Sequence, residues 1–275
     1  MAVKPVAAMG DNCIDRYLPP LDREFVGGNA VNVAVGLRDL GHDVAYAGAV
    51  GDDEAGRSVV AALRARGIHV DHVQTIAGST GVTTVRLTGD GDRVFESEVL
   101  GTSARFRPTA ATLADLRGRA WVHGAGLSGG LEGFAGLRSA GTRLSYDFSH
   151  AASPELIATL CPHLAVAFLS APSGSPVEAA GLAQEAVAAG AQTAVVTRGR
   201  DGSLAVCGAV HNQPPVPVEV VDTLGAGDAF IAACISALVH DAPLPAALEQ
   251  GARAAAEACT HHGAWQESVA LEESA

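Results

Sequence analysis

The chain reads as an α/β protein with a mostly parallel sheet, helices on both faces and a small β appendage. Three observations predict this. Short, continuously apolar runs alternate with amphipathic stretches of helical period, as in βαβ units whose strands are buried on both faces. At 275 residues the chain has the length at which such folds still form one domain. Two stretches break the alternation with Pro-bearing or period-two sequence, as a separate antiparallel sheet would.

Residues 3–9 are an apolar run and are expected as the first strand, ending at Gly10-Asp11. Residues 29–40 place Val33, Leu37 and Leu40 on one helical face, with Gly41 as the stop. A strand at 44–50 and a helix at 55–66, ended by Gly67, complete the first unit. The second half repeats it. Strands are expected at 121–125, 144–148, 164–169 and 193–197, separated by a weak helix at 130–139, a short one at 154–160 with Pro154 in its first turn, and a longer one at 176–189. Residues 204–207 and 209–211 read as a hairpin about Gly208. An apolar strand at 216–221 then leads into helices at 226–239 and 244–260. The segments that break the rhythm lie near 14–26 and 81–100. In the second, Val82, Thr84 and Arg86 alternate with Thr83, Val85 and Leu87 before a Gly-Asp-Gly turn and Val94-Phe95. These are expected to stand off residues 1–265 as a lid, and the acidic tail 266–275 is expected to fray.

Composition excludes several functions. A hydrophobic content of 48% with 17% charged residues argues against disorder. A net charge of −12 makes the chain a poor ligand for nucleic acid or an anionic membrane, and no apolar run approaches the ~18 residues of a membrane span. Lys4 is the sole lysine. That removes a Walker-A loop, the strand lysine of protein kinases, and Schiff-base chemistry. If such a chain handles ATP phosphates, it does so with backbone N–H groups, Arg and metal. Cys13, Cys161, Cys207, Cys234 and Cys259 are scattered with no C-x-x-C pair, as in a reduced cytoplasmic protein, and the apolar start is too short for a secretory signal. The histidines form no H-E-x-x-H, and adjacent His261-His262 cannot converge on one ion.

The strongest signal is Asp222-Thr223-Leu224-Gly225-Ala226-Gly227-Asp228, placed where a helix begins. Gly225 and Gly227 allow the backbone to turn so that several N–H groups converge beside the unpaired donors and positive dipole end of the helix. That is a cradle for a phosphate whose charge grows during transfer. Asp228 at its mouth can take a proton from an attacking hydroxyl, whereas a mere helix cap would need neither the paired glycines nor Asp222. A second pattern, Gly124-Ala125-Gly126-Leu127-Ser128-Gly129 with Asp147 beyond it, fits a dinucleotide fingerprint. Lying mid-chain in a sequence with 32 glycines, it reads better as a strand-to-helix turn at the sheet's carboxyl edge, where His123 and Gly124 border the substrate.

The 222–228 motif resembles the second signature of the ribokinase-like (PfkB) carbohydrate kinase family. Gly10-Asp11-Asn12-x-x-Asp15, Gly27-Gly28-Asn29-Ala30-x-Asn32, Val50-Gly51-Asp52-Asp53-x-x-Gly56 and Thr197-x-Gly199-x-x-Gly202 follow the family's order over residues 5–265. Asp147-Phe148-Ser149, Ser170-Ala171-Pro172 and His262-Gly263-Ala264-Trp265 are similar to the branch that phosphorylates glycated amines. The resemblance implies a ribokinase-like fold and ATP-dependent phosphorylation of a sugar hydroxyl. The substrate it implies is fructoselysine or a related ketosamine at its 6-hydroxyl, with ribose, fructose or a nucleoside as alternatives. It implies Asp228 as base and Gly225, Ala226 and Gly227 as the anion hole. It also implies Asp11, Gly28, Asn29 and Asn32 on the sugar, Thr197, Gly199, Gly202 and Thr223 on the nucleotide, and Gly263 and Ala264 at its adenine end. Mg²⁺, room for a monovalent cation and a homodimer formed through the lid follow from the same source. One departure concerns the metal. The family's Asn-x-x-Glu is replaced by Ser170-Ala171-Pro172-Ser173, which leaves the metal ligands unknown, with Asp222 and Asp228 the nearest acids and Glu178 further downstream. A non-catalytic sugar or nucleotide sensor is the alternative of another class, and the intact 222–228 motif speaks against it.

Overall fold

The computed structural model describes residues 3–89, 91–127, 129–149, 152–172 and 174–266. The first apolar run is β1 (Pro5–Gly10), inside the larger of two sheets. The chain leaves that sheet for β2 (Cys13–Tyr17) and β3 (Glu24–Gly27), then returns through α1 (Asn29–Asp39) to β4 (Asp43–Gly51). After α2 (Glu54–Ala65) and β5 (His69–Ile76), it departs again for β6 (Val82–Leu87) and β7 (Arg93–Val99). The second half alternates α3 (Ala110–Leu116), β8 (Trp121–Ala125), α4 (Gly133–Ser139), β9 (Arg143–Asp147), α5 (Pro154–Leu160), β10 (Val166–Ser170), α6 (Pro176–Ala188) and β11 (Thr193–Thr197). The hairpin β12 (Ser203–Cys207) and β13 (Ala209–Gln213) precedes α7 (Ala226–Val239) and α8 (Leu244–Ala258).

The larger sheet runs β13-β12-β11-β10-β9-β8-β1-β4-β5, parallel from β11 to β5 and antiparallel at β12 and β13. Alternate residues of the strands face opposite layers. Val6 and Ala8 pack under α1, α2, α7 and α8, whereas Ala7 and Met9 pack under α3 to α6. From β1 the chain first builds outward through β4 and later returns to β8 on the other side. Such a reversal opens a crevice at the strands' carboxyl ends. Asp11 N–H donates to the Ala125 carbonyl (3.2 Å) across it.

The two rhythm-breaking segments form the second sheet, ordered β3-β2-β6-β7. Tyr17, Phe25 and Val85 on its inner face pack against Leu224, just before α7. Its base is clamped by the 51–56 motif. Asp53 caps α2 by accepting from Gly56 N–H (2.9 Å) and also accepts from Thr80 N–H (2.9 Å) and hydroxyl (2.6 Å), while Thr80 Oγ1 accepts from Gly51 N–H (2.9 Å). That motif is structural: it fastens the strand entering the small sheet.

One sequence expectation fails, and two elements carried no sequence signal. Residues 216–221 are not a strand. The sheet already ends at β13, and this segment lies extended with Val218, Val220 and Val221 exposed, Val221 N–H donating to the Cys259 carbonyl (2.8 Å). β5 escaped detection because it is an edge strand, so its polar alternation carries no buried run. α3 buries only Thr112 and Leu116, too few apolar positions for a periodic signal. The acidic tail lies outside the described residues except for Gln266, as does Ser173.

Candidate active site

The turn into α7 is built as its glycines require. Gly225 is the helix N-cap in the left-handed region (φ 76°), and a Cβ there would sit 2.5–2.6 Å from Ala264. Gly227 differs: a Cβ there would meet nothing within 4 Å. It faces the open pocket, where the first-turn N–H groups of α7 lack helical acceptors. Ala226 N–H already donates to the Thr223 carbonyl (3.3 Å), so the donors this turn can offer an anion come from Gly225, Gly227 and Asp228. Asp222 is fully buried beneath it. Its carboxylate accepts from Leu224 N–H (2.9 Å), Gly263 N–H (3.0 Å) and the Tyr17 hydroxyl of the small sheet.

In front of this turn lies a pocket of about 600 Å³ at the β1/β8 crevice, roofed by the small sheet. Asp11, Gly28, Asn29, Asn32, Thr197, Gly225, Gly227 and Asp228 of the sequence-selected residues all line it. Asp15, Arg93, Glu98 and Asp147 line it as well. Asp11 accepts from Asn29 N–H (3.0 Å) and Ala30 N–H (2.9 Å), supplying the cap that Gly28 cannot. Gly28 itself is required at φ 107°, where a Cβ would press on Asn12 at 2.5 Å. Burial pushes both Asp11 and Asp15 above the usual carboxylate range, Asp15 to about 7.

Asp228 stands at the centre, its carboxylate accepting from the Asn32 amide (2.8 Å). The other end of that amide accepts from the Trp265 indole N–H (3.1 Å). Asn32 therefore positions Asp228 rather than facing solvent. Burial raises the Asp228 pKa well above normal; the Asn32 bond and Arg93 oppose this, while Asp147 and Asp11 reinforce it. A raised pKa makes the ionised form a stronger proton acceptor. Asn32→Leu removes the donor that lowers this pKa, so the acidic limb of the kcat–pH profile is expected to move to higher pH, with activity recovering as pH rises. A limb that stays in place would deny Asn32 this tuning role.

The remaining candidates lie outside the pocket wall. Gly199 (φ 57°) and Gly202 (φ 84°) shape the turn between β11 and β12, and a Cβ at Gly202 would meet the Gln213 carbonyl at 2.2 Å. Thr223 turns toward the small sheet, accepting from Arg93 and donating to Asp92. Gly263 (φ 77°) and Ala264 brace the back of the 222–228 turn. Glu178 caps α6 by accepting from Ser175 N–H (2.8 Å) in a capping box, so it does not replace the missing acid. Gly124 and the buried His123 pack inside the sheet, and among the described residues of that loop Gly126 and Leu127 reach the pocket. α4 starts at Gly133, so no helix N-terminus follows the glycines as a dinucleotide site needs. Arg93, Glu98 and the part played by Trp265 escaped sequence reasoning, because only the strand register and the packing of residue 265 on α1 bring them here.

The sequence pattern of the pfkB family carbohydrate kinases matches residues 20–118 and 161–269. The chain is 41% identical over 265 residues to the fructoselysine 6-kinase of Shigella flexneri, covering 96% of this chain and 100% of that one. It is 34% identical to the fructosamine kinase of Bacillus subtilis, covering 94% and 92%. Its fold superposes on an Arabidopsis thaliana ribokinase complexed with ribose and ATP with a TM-score of 0.82 at 21% identity, covering 96% and 95%.

Proposed function

Because this chain belongs to the pfkB family of carbohydrate kinases, we propose that it transfers the γ-phosphoryl group of ATP to the 6-hydroxyl of fructoselysine or a related ketosamine. The observation that carries the substrate class is the charge of the pocket. Among the described residues, Asp11, Asp15, Glu98, Asp147 and Asp228 line it against one cation, Arg93. A neutral sugar gains little from that excess, whereas a ketosamine carries a protonated amine. Strand register places Asp15 beside Thr83 and Thr83 beside Glu98, so the two acids flank one row of the small sheet's inner face. There they can hold the ammonium while Asp228 meets the sugar hydroxyl.

In this reading Asp228 takes the hydroxyl proton as the sugar oxygen bonds to the γ-phosphorus. The bond to the β–γ bridging oxygen breaks, and ADP leaves with its electron pair. The N–H groups of Gly225, Gly227 and Asp228 receive the growing charge. Thr197 borders the phosphate side, and the small sheet acts as the lid that excludes water. Asp228 and Asp147 line the same pocket, but Asp147 already accepts from the Ser149 N–H (2.7 Å) and hydroxyl (2.9 Å), so a divalent cation would be held mainly by ATP oxygens and water. Mg²⁺ held in that way would neutralise phosphate charge. The same reading includes a homodimer: β7 is an edge strand with exposed Val94, Phe95, Val99 and Leu100 nearby, and sedimentation analysis tests it. It also includes a reducing, cytoplasmic setting, since all five cysteines are free. Among the described residues no helix is long and apolar enough to cross a membrane.

The test is ADP production on fructoselysine, fructose, ribose and a nucleoside. Fructoselysine is expected to give the highest kcat/KM. Glu98→Gln should raise KM for fructoselysine about fivefold, near the upper worth of a partly exposed charge pair, and leave KM for fructose unchanged. Equal turnover of fructose and fructoselysine by the wild type would defeat the substrate assignment.

A further inference from the structure

Among the described residues Arg93, at the start of β7, is the one cation lining a pocket of carboxylates, and it forms no ion pair there. One terminal nitrogen donates twice to the 222–228 turn, to the Thr223 carbonyl (2.9 Å) and hydroxyl (3.0 Å). The Thr223 hydroxyl donates in turn to Asp92 (2.9 Å), whose same oxygen accepts from the backbone N–H of Arg93 (2.9 Å). One end of the guanidinium is therefore anchored on the turn, with its carbon 5.4 Å from the Phe95 ring centroid. Its Nε–H is buried without an acceptor among the described residues. A buried, unmatched donor on a full charge is costly unless a ligand supplies the acceptor. The wall it shares with Gly225, Gly227 and Asp228 is where a phosphoryl group would cross between nucleotide and hydroxyl.

We propose that Arg93 is a further catalytic residue: it reaches from the small sheet to contact the γ-phosphoryl group in flight, opposite the N–H groups at the start of α7. This rests on the kinase reading above. The step remains the same transfer: the sugar oxygen gains the phosphorus, the bridging oxygen leaves with ADP, and Asp228 takes the proton. Arg93 transfers nothing. It neutralises charge on the equatorial oxygens, which is greatest in the loose transition state. Because Arg93 belongs to the small sheet and Thr223 to the phosphate turn, the charge is in place only while the two are docked. Water attack on ATP is then disfavoured when the sheet is lifted.

The test uses the full chain with whichever sugar the wild type turns over best, so failure of the ketosamine reading leaves this experiment intact. Arg93→Ala is expected to lower kcat about 10²–10³-fold while KM for the sugar changes less than about threefold. Added guanidinium should restore part of the loss. Affinity for ADP with aluminium fluoride and sugar, a mimic of the transferring group, should fall by a similar factor, while affinity for ADP alone is kept. Asp92→Ala loosens the same contact without removing the cation. Were it to reproduce the whole loss, Arg93 would be a structural tie and the proposal would be overturned. So would a KM effect confined to glycated amino acids and absent for a ketosamine of a simple alkylamine, because Arg93 would then be reading the substrate's own carboxylate.

Discussion

Asp228→Asn is expected to lower kcat by about 10²–10⁴, the range associated with losing a general base. The change suits the question because it is nearly isosteric. The amide oxygen can still accept from Asn32, whose other end stays on Trp265, so the buried chain of bonds survives. Affinity for ATP should change little, and the melting temperature should not fall, since a buried acid with a raised pKa becomes a neutral group of the same shape. The pH profile gives a second readout. In the wild type, activity should rise with pH as Asp228 loses its proton, whereas that limb should be missing from the residual activity of the variant. Near-normal kcat in Asp228→Asn would remove the base from its assigned role, as would an acidic limb that persists.

Two glycines in the same turn should separate folding from phosphate binding. Gly225→Ala meets a double obstacle. Its φ of 76° costs an L-residue roughly 1–2 kcal/mol, and its Cβ would lie 2.6 Å from the Ala264 backbone. Something must shift, and both the melting temperature and kcat should drop. Gly227→Val meets no protein atom within 4 Å of its Cβ and has no special backbone angle, so thermal stability should hold. Its side chain would instead enter the space in front of the α7 N-terminus. Activity should fall about 10²–10³-fold, as when an anion-hole donor is lost, and ATP should no longer stabilise the protein against heat. If Gly227→Val kept ATP-dependent stabilisation and turnover, the phosphate would lie elsewhere.

Much of the architecture was legible because it depends on local chemistry. Continuously apolar runs bounded by glycine became β1, β4, β8, β10 and β11, since a strand covered by helices on both faces has no polar side. Gly225 and Gly227 before an apolar helix announced the phosphate turn for a similar reason, as few other sequences can adopt that backbone. Composition alone excluded lysine-based phosphate chemistry. The failures share a cause as well. Residues 216–221 are as apolar as a buried strand, yet β13 closes that edge of the sheet and leaves them unpaired. β5 is as polar as a loop, yet the edge of the sheet accepts it.

The chemistry of the site depends on the fold in a way no local pattern encodes. Asn32 lines the pocket as a sugar ligand would, and α1 also carries it beneath Asp228 with Trp265 behind it, a pairing no local pattern shows. Asp222 resembled a second acid of the active site, but Tyr17 from a strand 205 residues away engages its carboxylate. Arg93 and Glu98 had no signature at all, and β-sheet register alone turns both toward the pocket. Sequence by itself thus determined the layers, the glycine turn before α7 and the acid at its mouth, because backbone conformation and burial are set by neighbours along the chain. Only the tertiary structure decided which polar groups face the reacting atoms and which are engaged in holding others still, because hydrogen-bond partners and electric fields depend on distance in space.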